Sequence, residues 1–161
     1  MNRAESTIKR IEESNEKATK AIPRRELSFN EIRHFMYHAT FRANLASIKQ
    51  FGLGAKQPKN WEFSQDGVLC FSSNPDIAYS FCECADDVSE SKYNSGIVVL
   101  ATPYMPGYVM MEDMNCQGQQ SCFCMKGIGI KPTALYVVTT KNGKLYLEGR
   151  LSDLKRVPSY E

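Results

Sequence analysis

Strand-like segments outnumber helical ones in this sequence and do not alternate with them, which predicts an α+β domain built from small antiparallel sheets. Short apolar runs at 35–40, 67–72, 96–101, 134–139 and 144–148 have the length and β-branched or aromatic content of strands. Lys141-Asn142-Gly143 separates the last two, and an Asn-Gly pair between apolar runs is the strongest short-range hairpin signal. Helical signals are few and short, and no internal repeat or heptad pattern is present.

In chain order, residues 1–22 read as an exposed helix. Ile8, Ile11 and Ala18 make a thin apolar stripe between charged faces carrying Glu12, Glu13, Glu16, Lys17 and Lys20. Pro23 ends it, and residues 1–30 are set apart as an N-terminal extension to a domain over 31–161. Ser28-Phe29-Asn30-Glu31 has capping-box spacing for one more turn. The strand over 35–40 ends in His38-Ala39-Thr40. Behind it, Asn44 is positioned to cap a compact helix that buries Leu45 and Ile48 and stops at Gly52. A polar loop, 54–66, carries the only tryptophan, Trp61. After the strand over 67–72, Asn74-Pro75-Asp76 starts a helix, with Asn as cap and Pro at the first position. That helix gives way to an acidic stretch over 86–90, read as surface loop. Residues 112–127, rich in Gln, Cys and Gly, read as a long polar excursion.

The chain has 161 residues, 42% of them hydrophobic and 24% charged, as in an ordinary soluble globular domain. Twenty basic against 18 acidic side chains give +2, too little to argue for nucleic acid or an anionic membrane surface. No apolar run approaches the roughly 20 residues of a membrane span. Arg3, Glu5, Lys9 and Arg10 interrupt any secretory leader. A cytoplasmic location is the expectation, with the 6 cysteines as thiols or metal ligands rather than disulfides.

Cys82-Glu83-Cys84 and Cys122-Phe123-Cys124 could together offer four thiolates to zinc. Their spacing departs from the usual C-x₂₋₄-C, and i and i+2 point apart on a helix, so ordinary thiols and no metal are expected. The chain holds no Walker A loop, no G-x-G-x-x-G and no H-E-x-x-H. Only His34 and His38 could serve a hydrolase, and nothing marks a nucleophile elbow.

The order of pieces is more telling. His38-Ala39-Thr40 at a strand end leads to Asn44-Leu45-Ala46-Ser47-Ile48 and Gly52-Leu53. Then Gly67-Val68-Leu69-Cys70-Phe71-Ser72 joins directly to a helix carrying Ala78, Tyr79 and Phe81. Over roughly residues 34–157 this resembles the ADP-ribosyltransferase superfamily, in its branch with the His-Tyr-Glu signature that includes diphtheria-type toxins and poly(ADP-ribose) polymerases. The resemblance implies two small, mostly antiparallel sheets packed as a split sandwich with a few short helices. It implies NAD⁺ as substrate: His38 on the adenosine ribose, the Ala39 backbone on the nicotinamide carboxamide, and the Thr40 hydroxyl nearby. Ala39 stands where the family has glycine. Cys70 or Phe71, followed by Ser72, takes the signature tyrosine position, according to register, and Phe81 or Tyr79 supplies a second aromatic wall. Glu148 would be the catalytic carboxylate, with Glu112 as fallback.

The implied reaction is transfer of ADP-ribose to a protein, nucleic-acid or small acceptor, with release of nicotinamide. Acceptor choice would lie in loops 54–66 and 115–125. Lys126, Lys131, Lys141, Lys144, Arg150, Lys155 and Arg156 make the last third basic, which admits a nucleic-acid acceptor. Two alternatives stand beside this reading. One is a non-catalytic NAD- or partner-binding module of the same fold. The other is the superfamily's RNA 2′-phosphotransferase branch, which needs more histidines than this chain has.

Overall fold

Phe35-Met36-Tyr37-His38-Ala39-Thr40-Phe41 is almost continuously apolar because it is covered on both faces, and the rest of the fold is arranged around it. The computed structural model describes residues 2–18, 24–54, 68–85, 88–104, 110–112, 122–126 and 129–160. Its strands are β1 (Arg25–Glu26), β2 (Phe35–Phe41), β3 (Val68–Ser72), β4 (Ile97–Pro103), β5 (Met110–Glu112), β6 (Cys122–Lys126), β7 (Tyr136–Lys141) and β8 (Lys144–Arg150). Its helices are α1 (Arg3–Ala18), α2 (Phe29–Ile32), α3 (Leu45–Phe51), α4 (Pro75–Glu83) and α5 (Glu90–Asn94). Every strand pair is antiparallel, in the order β1-β8-β7-β4-β2-β3-β6-β5. The α+β class is therefore as expected. The two separate sheets are not: the described strands form one open hydrogen-bonded sheet. It narrows between β2 and β3, where Tyr37↔Ser72 is the single paired position.

Alternation along β2 sends Met36 to one core and Phe35 and Tyr37 to the other. The first core joins Met36, Val98, Leu100 and Val137 to Leu45 and Ile48 of α3 and to Leu135, Leu151 and Val157. The second joins Phe35, Tyr37, Val99, Ala101 and Val138 to Ala78 of α4, with Ile8 of α1 against it. Central strands covered on both faces must be apolar throughout, which is why β2, β4 and β7 show no hydrophobic alternation. Each large side chain so buried contributes about 1.5–3 kcal/mol. The tail closes the core: Tyr160 donates its N–H to Ile97 O and accepts from Thr140 N–H. It thus bridges β4 and β7 where their direct pairing has ended.

The local signals held at the helix starts. Ser28 and Glu31 form the reciprocal capping box, and Asn74 accepts from the N–H groups of Asp76 and Ile77. Asn142 (φ 53) and Gly143 (φ 75) make the hairpin turn. Asn44 behaves differently from expectation. It lies in helical backbone within a 3₁₀ turn and makes no cap bond, donating instead from Nδ2 to Thr40 Oγ1 at 3.0 Å. Helix α5 begins at Glu90, the last residue of the acidic stretch, started by Ser89 accepting from Lys92 N–H. The polar excursion contains strand β6, which pairs on both sides, with β3 and β5. Residues 55–66 of the loop that begins at Gly54, residues 105–109 and all of 113–121 lie outside the described residues. Among those described, no helix is long and apolar enough to cross a membrane.

Gly52 does more than stop α3. Its φ is +89, and a Cβ there would stand 2.4 Å from the Ile130 carbonyl oxygen. The same approach lets Leu53 and Ile130 exchange both backbone hydrogen bonds. Gly143 also has positive φ, but a Cβ there meets nothing within 4 Å. Gly52→Ala should cost about 2–3 kcal/mol in urea unfolding, and Gly143→Ala only about 1 kcal/mol. Equal losses in the two variants would show that backbone conformation, not the Ile130 contact, sets the requirement.

Candidate functional site at the β2–β3 seam

Backbone polarity alternates along β2 as strictly as side-chain direction. Arg42 N–H donates to Gly96 O and Tyr104 N–H to His34 O, so the even-numbered residues of β2 face β4 with their backbone groups. The odd-numbered ones face β3. Tyr37 uses this side to pair with Ser72; continued in register, Ala39 would pair with Cys70, but the ladder stops first. The Cys70 carbonyl turns to a side chain instead, and His38 Nδ1 meets it at 2.7 Å. The imidazole is wedged into the place where the sheet opens. The Ala39 N–H and C=O point to the same opening, while its methyl packs toward the second core. The Ala39 methyl therefore has room, away from the opening.

His38 is 9% exposed, and its ring lies edge-on to Phe71 at a centroid distance of 5.8 Å. Burial pushes its pKa below the usual 6.5, and the Cys70 carbonyl only partly offsets this. The ring is neutral at pH 7. A neutral imidazole facing a carbonyl must carry its proton on Nδ1, which makes Nε2 the acceptor nitrogen. The bond fixes the tautomer as well as the ring plane.

The seam thus gathers His38, Ala39, Cys70, Phe71 and Ser72. Ser72 is fully buried and its Oγ accepts from Asn74 N–H at 3.0 Å, joining β3 to the cap of α4. Thr40 follows on the same face as His38, its hydroxyl held by Asn44. Of the two candidates for the signature position, Phe71 is buried against His38 and Cys70 contributes its carbonyl to the imidazole. Tyr79 lies on the opposite side of the sheet from His38, packed on the second core with its ring 5.4 Å from that of Tyr160. Phe81 is half-buried on α4. Cys82 is buried, its thiol pushed up to about 12 by desolvation, whereas Cys84 is exposed, so the two do point apart. Among the described residues, no group of three or more His, Cys, Asp or Glu could hold a metal ion.

Glu148 stands elsewhere. Pairing passes from Val137↔Gly149 to Val138↔Leu147, so Glu148 is the extra residue of a β-bulge. The bulge turns it to the same face as Val137, the face of His38. It accepts from Thr139 Oγ1 and from Arg24 Nε, both at 2.6 Å, and Arg24 also lies over the Tyr146 ring. His38↔Leu100, Leu100↔Val137 and Val137↔Gly149 form one row across the sheet. Three strand spacings, about 14 Å, therefore separate β2 from β8 along that row. The buried side chains of Leu100 and Val137 fill the row between. Glu112 is as many strands away on the other side: its backbone pairs with Phe123, which pairs with Phe71. The sequence pointed to His38 but not to the end of the ladder beside it, nor to Arg24 as the partner of Glu148.

Because His38 is held neutral, its contribution to stability is complete above pH 6.5 and is lost as acid protonates it in the unfolded chain first. The unfolding free energy measured in urea should fall between pH 7 and pH 5, by no more than about 1.4 kcal/mol per pH unit from this group. His38→Asn, whose amide N–H can replace Nδ1–H, should flatten that dependence while the protein stays folded. An unchanged pH profile in the variant would place the titration in another group. Compared with protein-family models, with curated proteins and with solved structures, the chain matches none of them.

Proposed function

We propose that the seam is the dinucleotide cleft of an ADP-ribosyltransferase fold, and that the protein transfers ADP-ribose from NAD⁺. The observation that carries this reading is the buried His38 ring, bonded at Nδ1 to the Cys70 carbonyl, beside the outward-facing backbone of Ala39 where the sheet opens. An unprotonated Nε2 accepts from a ribose hydroxyl. A strand edge whose N–H and C=O have lost their ladder partner matches a carboxamide, which needs one acceptor and one donor side by side. The resemblance assigns these two tasks to these two residues, on independent grounds.

In the reaction the bond from ribose C1′ to the nicotinamide nitrogen breaks, and its electron pair cancels the positive charge on the ring. The acceptor nucleophile bonds to C1′ and gives up its proton. Charge accumulates on the ribose as in glycoside cleavage, and a carboxylate at the 2′-hydroxyl stabilises it only as it develops. Glu148 is the carboxylate the resemblance selects, and Glu112 the fallback. Glu148's engagement with Arg24 and Thr139, three strands from β2, favours a second reading: a module that holds NAD⁺ without turning it over.

Release of labelled nicotinamide from NAD⁺ separates these. Transfer predicts release by the wild-type protein and a loss of roughly 100-fold or more in Glu148→Gln. If Glu112→Gln loses the activity instead, the carboxylate is Glu112. A rise in melting temperature with NAD⁺ but no nicotinamide supports the binding module, and no response of either kind removes the dinucleotide reading.

A further inference from the structure

A second cleft lies between α1 and α2, at the far end of β2 from the ladder's opening. It encloses about 450 Å³ and is lined by Asn2, Arg3, Ser6, Thr7 and Arg10 on one wall and Ser28, Asn30, Glu31 and His34 on the other. Positions 3, 6, 7 and 10 share one face of α1, so its cations and hydroxyls point the same way. Of the nearby acids whose side chains are described, two are already engaged. Glu31 is held by Arg25 and by the Ser28 N–H, and Glu5 folds back onto Asn2 N–H at 3.0 Å. Among the described residues, neither Arg3 nor Arg10 has a carboxylate partner. Among the described side chains that line the cleft, two guanidinium groups stand with one carboxylate, itself bound to Arg25, in a protein whose net charge is +2.

Two aromatic rings stand at its rim. Phe29, between the lining residues Ser28 and Asn30, is 75% exposed, with the Arg33 guanidinium 5.8 Å from its ring. Tyr104 is 46% exposed, and its backbone is tied to the cleft by Asn2 Nδ2 and by His34 O. The Phe29 ring offers a base an exposed apolar face bordered by a guanidinium. We propose that this cleft binds single-stranded nucleic acid, its phosphates on Arg3 and Arg10 and its bases on Phe29 and Tyr104. Arg3 and Arg10 are two helical turns, about 10 Å, apart, and their long side chains can reach two phosphates of one strand. The polar lining offers a lipid tail nothing, and an acidic peptide has no use for the rings. This inference does not rest on the NAD⁺ reading.

The test is fluorescence anisotropy of the full chain with a labelled single strand of about ten nucleotides, in RNA and DNA forms. The expected result is saturable binding of at least one form, weakening with salt. Arg3→Ala/Arg10→Ala should lower the salt slope by about 1.4, from two phosphate contacts. Phe29→Ala should weaken binding about tenfold at unchanged slope, the loss of one stacked base. Both variants alter exposed side chains and should keep the wild-type melting temperature. No binding of either form overturns the proposal. So does equal affinity for a heparin fragment together with indifference to Phe29→Ala, since the cleft would then be reading charge alone.

Discussion

The contact between the His38 imidazole and the Cys70 carbonyl decides what kind of sheet this is. Without it, the ladder between β2 and β3 would either zip onward to Ala39 or leave a buried carbonyl unsatisfied, at a cost of about 1–3 kcal/mol. A side chain that donates one hydrogen bond and occupies the width of a ring ends the ladder at Tyr37↔Ser72 without that penalty. Burial keeps the ring neutral against the pull of that carbonyl, and the contact leaves Nε2 as the acceptor. One interaction thus sets the sheet's opening, the tautomer beside it and the direction in which the Ala39 backbone is left.

That arrangement depends on covering β2 from both sides. α3 lies over the face of Met36 and His38, and α4 over the face of Tyr37 and Ala39. Tyr37, with no exposed surface, anchors the second core, donates its hydroxyl to Ile32 O at 2.8 Å, and has its pKa raised by desolvation. A strand so tightly held cannot shift register to follow β3, since a one-residue slip would turn all its side chains to the wrong core. The opening is where a rigid strand and its neighbour part.

Local chemistry made much of this legible in the sequence. Asn74-Pro75, Ser28 through Glu31 and Asn142-Gly143 each act within a few residues, and each formed the element it announced. What the sequence hid is set by long-range pairing. Cys122–Lys126 looks like a polar excursion because its place in the sheet is set by pairing with β3, far earlier in the chain, and with β5, which leaves no mark in its own composition. The single sheet was likewise out of reach, because one residue pair joins its two parts. Asn44 has cap chemistry, but Thr40 sits one turn before it and takes its amide. Arg24 gave no signal at all, lying 124 positions from the carboxylate it meets.

The state of Glu148 is therefore a question about Arg24. The pair is short, but the Arg24 side chain is 48% exposed, and exposed ion pairs typically contribute 1 kcal/mol or less. A ligand carrying its own positive charge or hydroxyl donors can replace such a partner at little cost. The bond from Thr139 is different, because Thr139 is buried and fixed on β7. It holds the carboxylate in place whether or not Arg24 is present. A bulge that aims Glu148 and a buried hydroxyl that steadies it are costly features for a residue whose only task is a surface ion pair. What stands between Glu148 and the seam is Leu100 and Val137, so any chemistry shared by the two must pass over those side chains rather than through them.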